Sequence, residues 1–216
     1  MPVWRDMPPA TVHSLLVTQA ACADKKIPLD IEFGIGSTVF HARSKSAHGF
    51  LKADNNRLFM IDSDIVWTEA DFFRLLALST KMDCVCATYT ARVNPPVFHI
   101  TVDDAKERIE ANEYGCFPVR GVGLGFTIVT RELIQELADK SPKITFDSMP
   151  GEKVAKIFRF DDNDSEARTE DMAFFSDVRA LGYSVNLDPS ITLGHVGVHE
   201  FRASVTDYLT KVPEAA

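Results

Sequence analysis

The sequence predicts an α/β fold, with one Rossmann-like, mostly parallel sheet flanked by helices and a mixed C-terminal half. Three observations predict it. The first ninety residues alternate short apolar runs with segments of helical spacing, which is typical of strands joined by right-handed crossovers. The apolar run 57–61 leads directly into Asp62 and Asp64, as a buried strand leads into a ligand site. Beyond Tyr89 the runs become shorter and their connections irregular.

Capping and proline signals place the first helices. Pro8 and Pro9 open helix one, because proline fixes the φ angle that a first helical turn requires. Ser37 is suited to cap the second helix, and Thr68 with Asp71 three residues later predicts a capping box for the third.

The remaining elements follow from apolar runs and helical spacing. We expect strands at 1–5, 29–35, 83–89, 97–102, 117–120, 125–130, 154–160, 184–187 and 191–198, and helices at about 131–140 and 170–181. Gly182 then follows the last helix, as a C′ glycine does.

Composition excludes several classes of protein. The 216 residues are 45% hydrophobic and 25% charged, which is ordinary for one soluble globular domain. A net charge of −8 argues against nucleic acid as the main partner, because phosphate backbones require basic patches. No apolar run approaches the roughly 20 residues of a membrane span, and the N-terminus lacks a signal-peptide pattern. We therefore expect a cytoplasmic protein.

Asp62-Ser63-Asp64 is the first chemical motif. The two carboxylates, two residues apart, point to the same side if the backbone stays extended. Close like charges are costly unless a cation or a shared proton relieves them, and hard oxygen ligands suit Mg²⁺ or Mn²⁺. The alternative is a pair of solvated aspartates in a strand-to-loop turn.

Two further motifs carry ionisable groups. Thr169 can cap a helix whose first turn holds Glu170 and Asp171, and an ionised carboxylate near a cleft can act as a general base. Acidic residues also occur at helix starts for stability alone. His195, beside Gly194 in an apolar strand, can supply an imidazole ligand to Mn²⁺, or it can be a hydrogen-bonded structural histidine.

Gly121, Gly123 and Gly125 precede a strand rather than a helix, so the stretch lacks the dinucleotide-binding pattern. It indicates either a close-approach turn beside a ligand or a plain glycine-rich turn. Arg43 has a planar fork that can bind a phosphate or a carboxylate, or it can be a surface arginine.

In this order the motifs resemble those of GT-A-fold glycosyltransferases, above all the short bacterial and phage-type members. Asp62-Ser63-Asp64 resembles the DxD motif of that family. The resemblance implies that Asp64 binds the divalent ion directly, and that Asp62 contacts the ribose or reaches the ion through water. It also implies that His195 closes the metal site.

The same resemblance assigns the remaining site residues. Ser37 and Arg43 are similar to a segment on the nucleotide side, and Gly123 belongs to a loop near donor sugar and acceptor. Glu170 and Asp171 are similar to an acidic pair, one of which deprotonates the acceptor hydroxyl in inverting members.

The implied activity is an Mn²⁺- or Mg²⁺-dependent transfer of a sugar from a UDP- or GDP-sugar to a saccharide or other hydroxyl acceptor. The domain would span 1–216. Residues 1–90 would form its nucleotide-binding half, residues 91–200 would bind the acceptor and close the metal site, and 201–216 would be a loosely held tail.

Two other functions fit parts of the sequence. Residues 60–68 also resemble the nucleophile motif of haloacid-dehalogenase-type phosphatases, in which Asp62 would be the nucleophile and Asp64 the acid/base. Some sixty residues precede the motif here, whereas that motif normally lies near the chain start. The third possibility is a nucleotide- or carbohydrate-binding module without turnover, for which the acidic pair at 170–171 is not required.

Overall fold

A computed structural model of the chain describes residues 1–3, 6–35, 38–102, 109–163 and 166–211. Within these ranges the chain forms six helices: α1 (Pro9–Asp24), α2 (Val39–Lys52), α3 (Glu69–Leu78), α4 (Arg131–Lys140), α5 (Glu170–Ala180) and α6 (Val205–Lys211). The same ranges contain fourteen strands: β1 (Pro2–Val3), β2 (Gly34–Ile35), β3 (Arg57–Ile61), β4 (Ile65–Val66), β5 (Cys84–Cys86), β6 (Phe117–Val119), β7 (Phe126–Thr130), β8 (Lys143–Phe146), β9 (Met149–Ala155), β10 (Asp161–Asn163), β11 (Glu166–Arg168), β12 (Val185–Leu187), β13 (Gly194–Val196) and β14 (Glu200–Arg202).

The central sheet has five strands in the order β3-β7-β5-β12-β6. β12 pairs in parallel with β5, whereas the other three neighbouring pairs are antiparallel. The predicted α/β fold is confirmed, but the prediction of a mostly parallel sheet is wrong. The cause is β7, which enters between β3 and β5 and runs opposite to both. β3 and β5 themselves still share one direction, as the alternation of strands and helices predicted.

Helices cover both faces of this sheet. Cys84 and Cys86 face the layer of α2, α4 and α5, whereas Val85 faces the layer of α1 and α3. Successive strand residues point to opposite faces, and the strand is buried on both, which explains its uninterrupted apolar sequence. Two hydrophobic clusters, one on each side, therefore hold the sheet in place.

Most predicted helix signals are present. α1 begins at Pro9, and Thr68 caps α3 in a capping box with Asp71. Gly182 follows α5 with φ of +90°, a conformation that a side chain would strain. The predicted cap Ser37 lies outside the described residues. The longest helix in the described part of the chain is α1 with 16 residues, and none of those helices is long and apolar enough to cross a membrane.

Several predicted segments differ from the structure; the strand expected at 97–102, for example, forms only isolated bridges at Phe98 and Thr101. Of the strand expected at 29–35, residues 34–35 pair with β1, while 27–32 line a largely apolar cavity of about 230 Å³ beside β3. The strand expected at 154–160 lies at 149–155, because it pairs with β8 in a hairpin. Of the tail expected at 201–216, residues 201–211 contribute to β14 and α6, and Val205 is buried at the start of α6, while 212–216 lie outside the described residues.

A second, smaller sheet carries the end of the motif at 62–64. Its three strands are ordered β14-β13-β4, and His195 of β13 lies opposite Ile65 of β4. The backbone N–H of Val196 also donates to the carbonyl oxygen of Asp64 at 2.8 Å. The backbone pairing thus places His195 beside Asp64.

Arg131, the first residue of α4, holds the C-terminal end of α2. Its guanidinium donates to the carbonyl oxygens of four residues there: Phe50, Leu51, Ala53 and Asn55. The last carbonyls of a helix lack partners within the helix, and a cation near them also interacts favourably with the helix dipole. This contact fixes α2, and with it Arg43, against the end of β7.

We expect Arg131→Ala to lower the free energy of unfolding by about 2 kcal/mol, because partly buried carbonyls lose charge-assisted hydrogen bonds. Urea denaturation followed by circular dichroism measures this change. Lys140→Ala in the same helix removes an exposed cation and should change the free energy by less than about 0.5 kcal/mol. Equal effects of the two substitutions would contradict the role of Arg131.

Candidate functional site

Arg43 lies at the centre of the site. It projects from α2 and is 4% exposed, although the sequence alone allowed a surface position. Nη2 donates to Asp62 Oδ1 at 2.6 Å, while Nη1 donates to Asp171 Oδ1 at 2.7 Å and to Glu170 Oε1 at 3.2 Å. One guanidinium therefore joins the end of β3 to the start of α5.

The three carboxylates make burial of this cation possible. Burial alone lowers the pKa of an arginine, but Asp62 and Asp171 outweigh it, so the Arg43 pKa is raised and the charge is retained. Arg43 Nε is buried without a hydrogen-bond partner among the described residues. Removing the Arg43 cation would leave three partly buried carboxylates of like charge facing one another.

Glycines bring the chain close to Asp62. Asp62 Oδ2 lies 3.4 Å from the hydroxyl of Tyr89, and Asp62 N–H donates to the carbonyl oxygen of Gly125 at 3.0 Å. A Cβ at Gly125 would stand 2.6 Å from Asp62 Oδ2, and one at Gly123 would stand 2.6 Å from the Tyr89 hydroxyl oxygen. These positions require glycine because β7 starts where β3 ends and the chain passes close to the side chains of Asp62 and Tyr89.

Asp64 belongs to a second group of charges. Its Oδ2 contacts Arg92 Nη2 and lies 3.8 Å from His195 Nε2. Burial raises the Asp64 pKa, but His195 and Arg92 outweigh that effect and the pKa is lowered overall. His195 Nδ1 lies 2.9 Å from the carbonyl oxygen of Thr90 and donates to it when protonated there, which leaves Nε2 directed toward Asp64.

Asp171 is an ionisable group with a strongly shifted pKa. It lies in the first turn of α5 after Thr169, and its pKa is raised to about 6. Burial is the main cause, and the charges of Glu170 and Asp62 add to it, while Arg43 acts in the opposite direction. A carboxylate with this pKa is ionised at neutral pH and can accept a proton efficiently.

The structure brings the predicted residues together as two neighbouring groups. The first group contains Arg43, Asp62, Glu170 and Asp171, and the second contains Asp64 and His195. Ser63 lies in the turn between the two aspartates.

Two residues that the sequence analysis did not select also belong to the site. Tyr89 connects the two groups, because its ring lies 4.8 Å from that of His195 and its hydroxyl approaches Asp62. Arg92 pairs with Asp64. Tyr89 lay at the end of a predicted strand, so the rule that selected Asp62 could have found it, whereas the pairing of Arg92 depends on a loop path that the sequence does not specify.

The predicted metal ligands are not gathered into one cluster. Within the described ranges, no group of three or more His, Cys, Asp or Glu side chains is placed to hold an ion. Asp62 pairs with Arg43, while Oδ2 of the ionised Asp64 lies 3.8 Å from His195 Nε2. These two donors are of the types that Mn²⁺ accepts, and ions bound through substrate phosphates need few protein ligands. Asp64 and His195 thus fit a divalent ion, with Asp62 outside its direct contacts.

Comparisons with known proteins establish the fold. No protein-family model matches the sequence, and no curated protein matches it. The crystal structure of A197 from STIV is similar to the chain with a TM-score of 0.59 and 20% identity, over 95% of this chain and 87% of that one. A TM-score of 0.59 with 20% sequence identity shows a shared fold.

Two other solved structures are more distant. GalNAc-T7, solved with UDP, GalNAc and Mn²⁺, has a TM-score of 0.49 and 12% identity, over 91% of this chain and 37% of that chain. The apo form of UDP-glucose pyrophosphorylase has a TM-score of 0.45 and 10% identity, over 97% of this chain and 80% of that one.

Replacing Arg43 by Met should destabilise the fold in a pH-dependent way. We expect the free energy of unfolding to fall by about 3–5 kcal/mol at pH 8, because three carboxylates are left without their cation. Without Arg43 the pKa of Asp171, which burial already raises above its unfolded value, would rise further, so the native state binds more protons and the loss shrinks as pH falls to 5.

Denaturation of both proteins at pH 5 and pH 8 tests this expectation. Arg57→Met is the matched control, because Arg57 donates to oxygens of Ser79 and Asn56 rather than to a carboxylate. The loss in free energy of unfolding caused by Arg57→Met should be the same at pH 5 and pH 8. A pH-independent loss in Arg43→Met would show that the carboxylates do not depend on this cation.

Proposed function

We propose that the protein is a metal-dependent glycosyltransferase that moves a sugar from a nucleotide-diphosphate sugar to an acceptor hydroxyl. The observation that carries the proposal is Arg43, which binds Asp62 of the DxD-like motif and Asp171 at the start of α5 through one guanidinium. Asp62, which is suited to the donor side, is thereby held next to Asp171, which is suited to deprotonate an acceptor.

Asp64 and His195 are the proposed ligands of Mn²⁺ or Mg²⁺. The lowered pKa keeps Asp64 ionised, and the hydrogen bond at His195 Nδ1 leaves Nε2 available. A divalent ion bound there would supply positive charge to the two phosphates of a UDP- or GDP-sugar, where negative charge grows as the sugar leaves. The anionic donor and the net charge of −8 are compatible, because such an ion inverts the local sign.

Asp171 is the proposed general base. It takes the proton of the acceptor hydroxyl as the oxygen forms a bond to the anomeric carbon and the bond to the phosphate oxygen breaks. Its pKa of about 6 supports this assignment over Glu170, because a base works best when its pKa lies near the working pH. Glu170 would contribute mainly through its charge, which raises the pKa of Asp171.

Arg43 takes a different role from the one suggested by the sequence. Both of its terminal nitrogens are committed to carboxylates and its side chain is 3% exposed. We therefore assign Arg43 to the positioning of Asp62 and Asp171, and not to direct contact with a phosphate. Its fixed charge also keeps Asp171 from becoming too basic, because it lowers the pKa that burial raises.

The phosphatase alternative receives less support from the geometry. A nucleophilic Asp62 would need a free carboxylate oxygen, yet Oδ1 pairs with Arg43 and Oδ2 faces Tyr89. The binding module without turnover remains an outcome of the experiments, since donor binding without sugar release would indicate it.

Nucleotide binding provides the main test of the proposal. We expect UDP or GDP with Mn²⁺, at about a hundredfold excess over Kd, to raise the melting temperature by about 5 °C or more. The same nucleotides without the ion should have little effect, and Asp64→Asn should abolish the shift. Asp54→Asn, an identical chemical change at an exposed position before β3, should retain it. Phosphate release from small phosphoesters, without such a shift, would favour the phosphatase instead.

The pH dependence of sugar transfer tests the base. We expect kcat/KM to rise tenfold per pH unit below a pKa of about 6 and to level off above it, because Asp171 must be ionised to accept a proton. Asp171→Asn should lower the rate by about 10²–10⁴-fold.

The matched substitution Glu170→Gln distinguishes the two carboxylates. Glu170→Gln should retain most activity and move the pH profile to lower pH. The charge of Glu170 raises the pKa of Asp171, so its removal lowers that pKa. A larger loss in Glu170→Gln than in Asp171→Asn would assign the base to Glu170.

A further inference from the structure

Arg92 and His195 approach the same atom of Asp64. The guanidinium of Arg92 contacts Asp64 Oδ2, and His195 Nε2 lies 3.8 Å from that oxygen. The side chains of Arg92 and Asp64 are 42% and 30% exposed, so the pair stands at the rim of the site and not in the core. A positive group of the chain is thus bound to the oxygen that lies nearest to His195.

The hairpin of β13 and β14 accommodates this arginine. A Cβ at Gly197 would lie 2.8 Å from Arg92 Cδ, so the aliphatic part of Arg92 packs against a position where a side chain would interfere. Gly197 N–H donates to the carbonyl oxygen of His199 at 2.8 Å, which fixes the turn at that point. The contact between Arg92 and Asp64 therefore has its own supporting surface.

We propose that Arg92 is an internal counter-cation of Asp64 that competes with the divalent ion for this carboxylate. The inference rests on the proposed function, because it concerns the same ion site. Two cations on one carboxylate oxygen repel each other strongly at short distance. Arginine cannot relieve the repulsion by losing its proton, so its side chain has to move when an ion binds.

The donor would assist this exchange. A diphosphate offers Arg92 anionic oxygens that match its planar fork, and the side chain of Arg92 is 42% exposed, so its guanidinium can be reached from solvent. Arg92 then weakens binding of the free ion but not binding of the ion together with the diphosphate. The protein would accordingly take up the ion mainly when a donor is present, which is a positive coupling between the two ligands.

Titration of the full chain with Mn²⁺ alone, followed by electron paramagnetic resonance of the free ion, tests the competition. We expect Arg92→Gln to bind Mn²⁺ about three- to fivefold more tightly than the unchanged protein, which is the range for breaking a partly exposed ion pair. Lys140→Gln is the control, because it removes one cation from an exposed ion pair in α4 and should leave the affinity unchanged. Arg92→Lys keeps the charge, and its affinity for Mn²⁺ should lie between that of Arg92→Gln and that of the unchanged protein.

The outcomes separate this inference from the proposed function. Equal affinity in Arg92→Gln and the unchanged protein, with weaker binding in Asp64→Asn, would overturn the competition and leave the metal site standing. Weaker binding in Arg92→Gln would also overturn it. If Asp64→Asn binds Mn²⁺ as well as the unchanged protein does, the ion does not use Asp64, and both proposals fail. Melting temperatures measured on the same samples exclude unfolding as a cause.

Discussion

A single buried cation determines how this site is built. Arg43 can remain charged inside the protein only because carboxylates surround it, and the carboxylates can remain close only because Arg43 lies between them. The partners Asp62 and Asp171 come from segments that are 19 and 128 residues away in the chain. The relative position of β3, α2 and α5 is thus set by one mutual electrostatic requirement, and packing of the apolar layers supports it.

The charges of the site divide into two groups with different chemistry. Around Arg43, Asp171 is strongly desolvated and gains a pKa of about 6. Around Asp64 the nearest groups are basic and the pKa moves the other way. Two aspartates of one motif therefore contact different groups, and the pKa values of Asp171 and Asp64 shift in opposite directions because their neighbours differ. Tyr89 lies between the two groups: its hydroxyl approaches Asp62, and its ring lies against the ring of His195.

The sequence predicted those features that depend on neighbouring residues. The capping box at Thr68, the proline start of α1 and the glycine after α5 are local, and each is present. The apolar run before Asp62 correctly indicated a strand, β3, that ends at Ile61. The insertion of β7, the burial of Arg43 and the pairing of Arg92 depend on contacts between distant segments, and a single sequence does not encode them in a readable pattern. The antiparallel pairing also explains why Gly125 lies close to Asp62.

The distance along the chain between Arg43 and α5 has a consequence for synthesis. While the ribosome is still making the segments before residue 170, α2 and β3 are complete but two of the three anionic partners of Arg43 do not yet exist. Burying that cation at this stage would be costly, so a nascent chain should keep the face of α2 open until α5 emerges. The arrival of α5 would then complete the group of carboxylates around Arg43 in one step.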